Sequence, residues 1–408
     1  MPRTSPERTA GAEGLAPLYL ANLVCSMGMM GFVVVAGPLA DSLGLQAWQI
    51  GLSATAGGLG WVLASQAWGR AADRIGRKKV LVAGLAGFAA GYLALCLAAQ
   101  AGAAWGLAPL AAWGALIATR FAMGLAYAAL PAAGAAVIAD RFAPDARAGQ
   151  MGRLAAAQSA GLLLGPAFVG AISSAISGAS PVAPLFWLAL APAPALLFLL
   201  LRLPADGPET AERPAPLSLA DPRLLRPVLA ALATLSAVGV AQIVVGFAAL
   251  DRLALPAPQA TRTAALALFC VGVALVVAQL AIARLGWSPR RLMGVGGGVA
   301  ALGFVFAALA GSPATLVAAY AVAGFGAGWV FPSISAAAAN AVSNDEQGRA
   351  AGSVSTAMGL GAMLGPSLGG ALYALAEPLP FLVAALAMAA VAAAGAGMAR
   401  KDEARPAT

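Results

Sequence analysis

An all-α integral membrane protein of twelve transmembrane helices, arranged as two related six-helix bundles, is the fold class this sequence predicts. Three observations carry the prediction. Only 10% of the 408 residues are charged and 61% are hydrophobic, with a mean hydropathy of +0.85. A water-soluble chain carries roughly a quarter charged residues, so lipid must cover what charge does not. The apolar sequence falls into runs long enough to cross a bilayer, and the basic residues fall almost wholly to one side of those runs.

The first fourteen residues are polar, and the apolar run from Leu15 is too long for the core of a cleaved signal peptide, so it reads as a retained first span. Hydropathy then places spans over 15–38, 48–68, 79–101, 108–138, 150–174 and 182–202. A second set lies over 226–250, 262–283, 293–311, 314–340, 350–374 and 379–399. Residues 203–225, rich in Pro and charge, form the longest polar interval and read as a linker between bundles at 15–202 and 226–399. Tails at 1–14 and 400–408 complete the division. An even span count puts both ends on one side. Of the 24 Lys and Arg residues, 21 lie in the tails, the even-numbered connections or the span ends beside them; Arg252 and Arg262 lie opposite, and Arg120 lies deep inside a span. That asymmetry orients the tails and basic loops toward the cytoplasm.

The two halves repeat. An offset of 200 superposes Gly161, Gly165-Pro166 and Gly170 on Gly361, Gly365-Pro366 and Gly370, and an offset of 210 brings Arg74-Ile75-Gly76 onto Arg284-Leu285-Gly286. Six spans per half is an even number, so the repeats insert in the same orientation, related by an axis along the membrane normal. Two such bundles can enclose a cleft and open it to either side in turn.

Several chemistries are excluded. There is no His, which removes histidine proton switches and His-bound metals, and none of Lys78, Lys79 and Lys401 sits in a GxxxxGK[ST] phosphate loop. Cys25, Cys96 and Cys270 are odd in number and each lies in an apolar run, so they read as packing residues. Neither metal nor cofactor is expected. The formal charge of +8 is too dispersed for a nucleic-acid groove and reads as topology.

Between the second and third spans stands Gly69-Arg70-Ala71-Ala72-Asp73-Arg74-Ile75-Gly76-Arg77-Lys78-Lys79. A basic anchor would need the cations, but neither Asp73 nor the glycine spacing. This GxxxDRxGRK pattern resembles the cytoplasmic signature of the major facilitator superfamily, and the likeness runs from about Leu15 to Arg400. The resemblance implies the major facilitator fold, with Asp73 latching the halves near the start of the eleventh span and Arg77 pairing with the acidic end of the fourth, for which Asp140 is available. A helix N-terminus does favour a carboxylate. The second half has Ala283 where Asp73 aligns, so the latch is expected on one side only.

In the fourth span Arg120, Met123, Gly124 and Tyr127 share one helical face. An intramembrane Arg costs about 2.5–3.5 kcal/mol on insertion scales and should face a cavity or a partner, unless it snorkels to the interface. The segment resembles the family's RxxxG coupling motif, with Met123 where Gln is frequent. In the fifth span Gly161, Gly165, Pro166 and Gly170 resemble the antiporter motif of exporters; its paired final glycines are Val169-Gly170 here and Gly369-Gly370 in the repeat. Glycines at four-residue spacing let helices touch backbone to backbone, and a proline permits a bend; Pro131 and Pro332 fit similar bends.

Family architecture implies a cavity lined by the first, fourth, seventh and tenth spans. Its candidate contacts are Asn22, Met27, Met30, Arg120, Met123, Tyr127, Gln242 and Tyr320, a wall that suits an amphiphilic organic guest, although each of these residues could equally serve helix packing. Asp41 and Asp251, 210 apart at the outer ends of the first and seventh spans, are the nearest candidates for a protonatable pair; solvated helix-end charge is the other reading. The function expected is proton-coupled efflux of drug-like compounds or a self-made metabolite such as a siderophore, with nutrient import by proton symport as the alternative and enzymatic activity disfavoured. The expected partners are substrate, protons and lipid, in a monomer. Arg outnumbers Lys 21 to 3, which suggests a GC-rich bacterial genome and a bacterial inner membrane.

Overall fold

The computed structural model describes residues 14–142, 144–176, 180–204, 218–343 and 346–403, and among these the regular structure is entirely helical. The tails at 1–13 and 404–408 and the central part of the linker, 205–217, lie outside the described residues. The helices are α1 (Ala16–Ser42), α2 (Ala47–Ile75), α3 (Arg77–Ala104), α4 (Pro109–Arg141), α5 (Pro144–Ala175) and α6 (Ala183–Arg202). They continue with α7 (Leu225–Arg252), α8 (Ala257–Leu285), α9 (Pro289–Leu309), α10 (Pro313–Ala339), α11 (Gln347–Leu375) and α12 (Leu379–Glu403).

Eleven of these are long and apolar enough to cross a membrane. The remaining one, α2, has 29 residues, but Gln49, Ser53, Thr55 and five glycines dilute its apolar surface, and it ends in Arg70, Asp73 and Arg74. Most helices outrun the spans read from hydropathy. At 1.5 Å per residue about 20 residues cross the hydrocarbon core, so a helix of 27 to 29 residues must project beyond it.

Prolines mark two interruptions. In α4 the helix breaks at Ala128, because Pro131 has no N–H to give the carbonyl of Tyr127. In α6 it breaks at Leu190 and Ala191, just before Pro192. Pro38, Pro166, Pro332 and Pro366 instead ride inside continuous helices. Gly76, at φ 93°, makes the tight turn from α2 into α3, a backbone geometry a side chain would strain.

The contacts divide the chain into two compact units. One takes in the chain up to Phe32 and from Ala56 to the α6–α7 connection; the other takes in Val33–Thr55 and the chain after that connection. The division therefore departs from a simple cut at the linker: the last turns of α1 and the first of α2 pack with the second unit. There the backbone of Gly37 in α1 meets that of Gly246 in α7, so closely that a Cβ on Gly37 would lie 2.5 Å from the Gly246 carbonyl carbon. Thr55 in α2 donates to the carbonyl of Met363 in α11 at 2.7 Å.

Candidate functional site

Arg120 lies in the middle of α4 with 3% of its surface exposed. Its guanidinium stacks on Phe32 at 4.6 Å from the ring centroid, and Nη1 approaches the thioether of Met29 at 3.6 Å. Among the described residues no carboxylate pairs with it, and Nε has no acceptor. The aromatic face and soft sulfur lessen the desolvation of the cation without neutralising it. Gly57 of α2 makes room: a Cβ there would lie 3.2 Å from the Arg120 carbonyl and 3.6 Å from Nε. One turn away Gly124 rests directly on the Gly57 backbone. Tyr92 of α3, also buried, has a hydroxyl without a partner. This part of the first unit thus holds an unneutralised cation and unused hydrogen-bonding capacity in an apolar setting.

Around it runs a set of polar links from α1. Tyr19 donates to Gln150 at 2.6 Å, Gln158 donates to Asn22 at 3.3 Å, and Tyr127 shares a hydrogen bond with Ser26 at 3.2 Å. Asn22 also donates to the Leu18 carbonyl at 2.9 Å and is fully buried. Met30 and Met123 are buried, the latter against Gly91 of α3, while Met27 is half-buried on α1. Phe32, Met29, Tyr92 and Gln158 escaped the sequence reading. Gln158 carried a usable signal, being a rare polar side chain within a span and one turn ahead of Gly161; the others look like ordinary packing residues until Arg120 is placed beside them.

The glycine motif of α5 packs against α1. A Cβ on Gly165 would lie 2.7 Å from the Met27 carbonyl, and one on Gly161 would collide with the Leu23 carbonyl. The second unit repeats the arrangement: on α11, Gly365 would meet the Ser236 carbonyl of α7 at 2.7 Å and Gly361 the Leu232 carbonyl at 2.5 Å. Leu23 and Met27 stand 209 residues before Leu232 and Ser236, so the repeat extends to the partners of the glycines. Gly369 continues the seam on Val240, and Gly370 meets the backbone of Ala47. Pro166 is buried within α5; Gly170 is half-buried and its carbonyl accepts from Ser174 at 2.8 Å.

At the start of α3, Arg77 is 1% exposed. Its Nε donates to Asp140 at the end of α4 at 3.0 Å, its Nη2 to Asp73 at 3.0 Å, and its Nη1 to the Ala72 carbonyl at 2.6 Å. The structure therefore brings Asp73, Arg77 and Asp140 together. Lys78 donates to the Leu200 carbonyl of α6 at 2.8 Å, while Gly69 faces open space and Arg74 is exposed in the last turn of α2.

In the second unit Asp251 lies in the π-helical turn Ala248–Arg252 that ends α7, and accepts from Tyr373 at 3.2 Å. Asp41 and Glu377 are near enough to act on it electrostatically, so three carboxylates share one end of this unit. Arg252 is turned away, donating to the carbonyls of Ala307 and Ala310 at 3.0 and 2.6 Å. Tyr320 is buried on α10 with its hydroxyl given to the Ala241 carbonyl at 2.7 Å; Gln242 is half-buried on α7.

The sequence pattern of the Major Facilitator Superfamily matches residues 18–286 and again 259–408. The chain belongs to the major facilitator superfamily. It is a transporter embedded in the membrane by many helices, and not an enzyme. Over 110 residues, 27% of the chain, it is 40% identical to a probable triacylglyceride transporter of Mycobacterium leprae, and 38% identical to a triacylglyceride transporter of Mycobacterium tuberculosis. The match covers 20% of each relative's length. In fold it resembles a bacterial homologue of the human lysosomal transporter Spinster, crystallised inward-facing and occupied, with a TM-score of 0.72, 17% identity and coverage of 99% of this chain and 100% of that one. The nucleoside transporter NupG follows with a TM-score of 0.71, 16% identity and coverage of 94% and 98%.

Proposed function

We propose that this transporter exports small amphiphilic organic molecules from the cytoplasm by alternating access, driven by protons moving the other way. The observation that carries the reading is the doubled seam, Gly161 and Gly165 on α1 and Gly361 and Gly365 on α7, each helix pair in backbone contact beside a proline, Pro166 buried and Pro366 half-buried. Surfaces without side chains between them can slide or tilt with little repacking. Their pattern resembles the antiporter motif of exporters, which favours efflux over uptake.

The guest is apolar with a polar or acidic end. In the first unit Met27, Met30 and Tyr127 offer an adaptable wall, and Arg120, with Nε unused, offers one strong donor. The partial match to triacylglyceride transporters supports the lipophilic side of this class, and a drug-like compound or a self-made siderophore fits the same chemistry. Proton coupling is assigned to Arg120 acting with Asp41 or Asp251. Asp73, held by Arg77, serves as the latch on the cytoplasmic side. The protein works as a monomer in a bacterial inner membrane with both tails in the cytoplasm.

The test is transport of a fluorescent amphiphile in inverted vesicles with an acid lumen. Accumulation that collapses when the pH gradient is dissipated is the expected result. Accumulation indifferent to the gradient would remove the coupling, and accumulation in right-side-out vesicles alone would favour the alternative, import by proton symport. Asp73→Asn is expected to insert normally and to stop turnover.

A further inference from the structure

In the second unit the first turns of α2 lie on α11 with no room between the backbones. A Cβ on Gly51 would lie 3.0 Å from the Pro366 carbonyl carbon and 3.3 Å from the Ser367 Cα, and one on Gly370 would lie 2.8 Å from the Ala47 carbonyl carbon. Ala47, Gly51 and Thr55 follow at four-residue spacing, so Thr55 continues this face one turn further on. Its hydroxyl donates to the Met363 carbonyl at 2.7 Å, and accepts from the Ser367 hydroxyl at 2.7 Å and from the Ser367 amide at 3.2 Å. A hydroxyl has one proton and two lone pairs, so the hydrogen-bonding capacity of Thr55 is fully used.

Met363 and Ser367 are four residues apart, which makes their carbonyl and amide the two ends of a single rung of α11. The rung before it, from residue 366 back to Ala362, is missing because Pro366 has no N–H. Two successive rungs are therefore weak, and a hydroxyl from another helix occupies the second. Insertion of a side chain into the ladder, like a proline, is where a helix gives way most easily.

Other threonines show the alternative open to Thr55. Thr119, Thr234, Thr261, Thr263 and Thr356 each donate to the carbonyl four residues back in their own helix, at 2.7–2.9 Å. For Thr55 that acceptor is the Gly51 carbonyl, reached by a change of χ1 that helical threonine tolerates. Once the hydroxyl has turned, the Ser367 amide and the Met363 carbonyl have each other. The Ser367 hydroxyl can turn back on α11 as Ser53 and Ser333 turn back on their own helices. Parting α2 from α11 thus exchanges hydrogen bonds without leaving a polar group open, which keeps the exchange cheap in both directions.

We propose that Thr55 is a positioning residue of the transport cycle. Its hydroxyl holds α2 against the weak point of α11 in this conformation, and frees α11 by moving its hydrogen bond from the Met363 carbonyl to the Gly51 carbonyl. The proposal rests on the alternating-access reading for the need to part the two helices, and is independent of substrate, direction and coupling ion.

The experiment is alkylation of Ala47→Cys by N-ethylmaleimide in the full-length protein, read by peptide mass at that position. Residue 47 is buried, with its backbone packed against Gly370, and reacts when the helices part. The assay needs neither substrate nor a proton gradient, so its result is separate from that of the vesicle experiment above. Thr55→Val, which keeps the shape and removes the hydroxyl, should raise the alkylation rate about tenfold. Ser367→Ala, which removes one of the three bonds, should raise it about threefold, and serves if the first variant fails to fold. Thr55→Ser should restore the rate to within about twofold of wild type. Thr356→Val, on α11 but bonded within its own helix, should leave it unchanged. The Ser367 amide, followed by hydrogen exchange, should stay protected while residue 47 reacts, because its own rung closes. Equal rates in wild type, Thr55→Val and Ser367→Ala would overturn the proposal. A lowered unfolding temperature in Thr55→Val with an unchanged alkylation rate would overturn it too, since the bond would then be ordinary packing. Loss of Ser367 protection in step with alkylation would overturn the exchange of partners.

Discussion

The two basic connections at matching places in the repeat, α2–α3 and α8–α9, differ in what holds their arginines. In the first, Arg77 is sealed in and bonded to Asp73, Asp140 and a carbonyl. In the second, Ala283 stands where Asp73 aligns, α8 ends on Gly286 in the left-handed conformation, and Arg290 and Arg291 lie at the rim of a crevice. Both sets of cations answer to the same topological need, since basic residues mark one side of a membrane. Their local physics diverged with the carboxylates. Where acids are supplied, the cation goes inside and becomes structural; at the second connection Arg291 instead lies over the ring of Trp287.

The most direct way to break the comparison is to remove an acid from the first connection. Asp140→Ala takes one carboxylate from a guanidinium that is 1% exposed and that also pairs with Asp73. Losing one partner of a buried pair costs about 3–5 kcal/mol, and the partial exposure of Asp140 puts the expected loss near the lower end. Arg290→Ala at the crevice rim should cost less than about 1 kcal/mol. Thermal unfolding of the purified protein in detergent measures both, and equal shifts would mean that the two connections do not differ as described.

The seams sharpen the contrast by behaving alike where the connections do not. Gly165 and Gly365 would each place a Cβ 2.7 Å from a carbonyl of the partner helix. Val at either position forces the backbones apart and should cost about 1–3 kcal/mol in each unit. Matching losses in the same unfolding assay would mark the seams as the conserved element of the duplication. A loss in one variant alone would mean that the repeat of sequence is not a repeat of load.

Much of this was legible in the sequence because lipid imposes simple rules. Span lengths, the even count and the charge asymmetry follow from hydropathy and counting, and the Gly-Pro register gave the duplication. The excess helix length was not legible, since turns beyond the hydrocarbon carry polar residues that hydropathy scores as loop; Arg74 and Asp73 are helical for this reason. Nor was the break at Ala128, because Pro166 and Pro366 sit in unbroken helices and the sequence does not say which proline interrupts. At the site, Arg120 was marked by its cost inside a span. Phe32 and Met29 were not, because their role depends on distances between helices. The sequence also gave no sign that α1 changes allegiance at Phe32, where no residue type changes.

A smaller effect is expected from Arg291 and Trp287. An exposed cation–π contact contributes about 0.5–1 kcal/mol, so Arg291→Ala and Trp287→Leu should each destabilise slightly, and the double variant by less than their sum. Strict additivity in a double-mutant cycle would reduce the stacking to proximity.

The smallest effect, and the one that best separates an exposed cluster from a buried one, is pH. Glu346 receives Arg223 through both oxygens, at 2.8 and 3.1 Å, and the Ser343 hydroxyl at 2.9 Å. Arg223, and then Ser343, hold its carboxyl down from 4.5 to about 2. A depressed carboxylate contributes stability that is full above its unfolded value and is lost as pH falls through its folded value, so the window runs from about pH 4.5 down to about pH 2. Because the group is solvated, salt screens the pair and the effect stays local. Hydrogen-exchange protection at the starts of α7 and α11, corrected for intrinsic rates, should therefore drop between pH 5 and pH 2.5, drop less at high salt, and barely change in Arg223→Gln. Protection that stays constant across that window in wild type would mean the pair contributes nothing to holding α7 against α11.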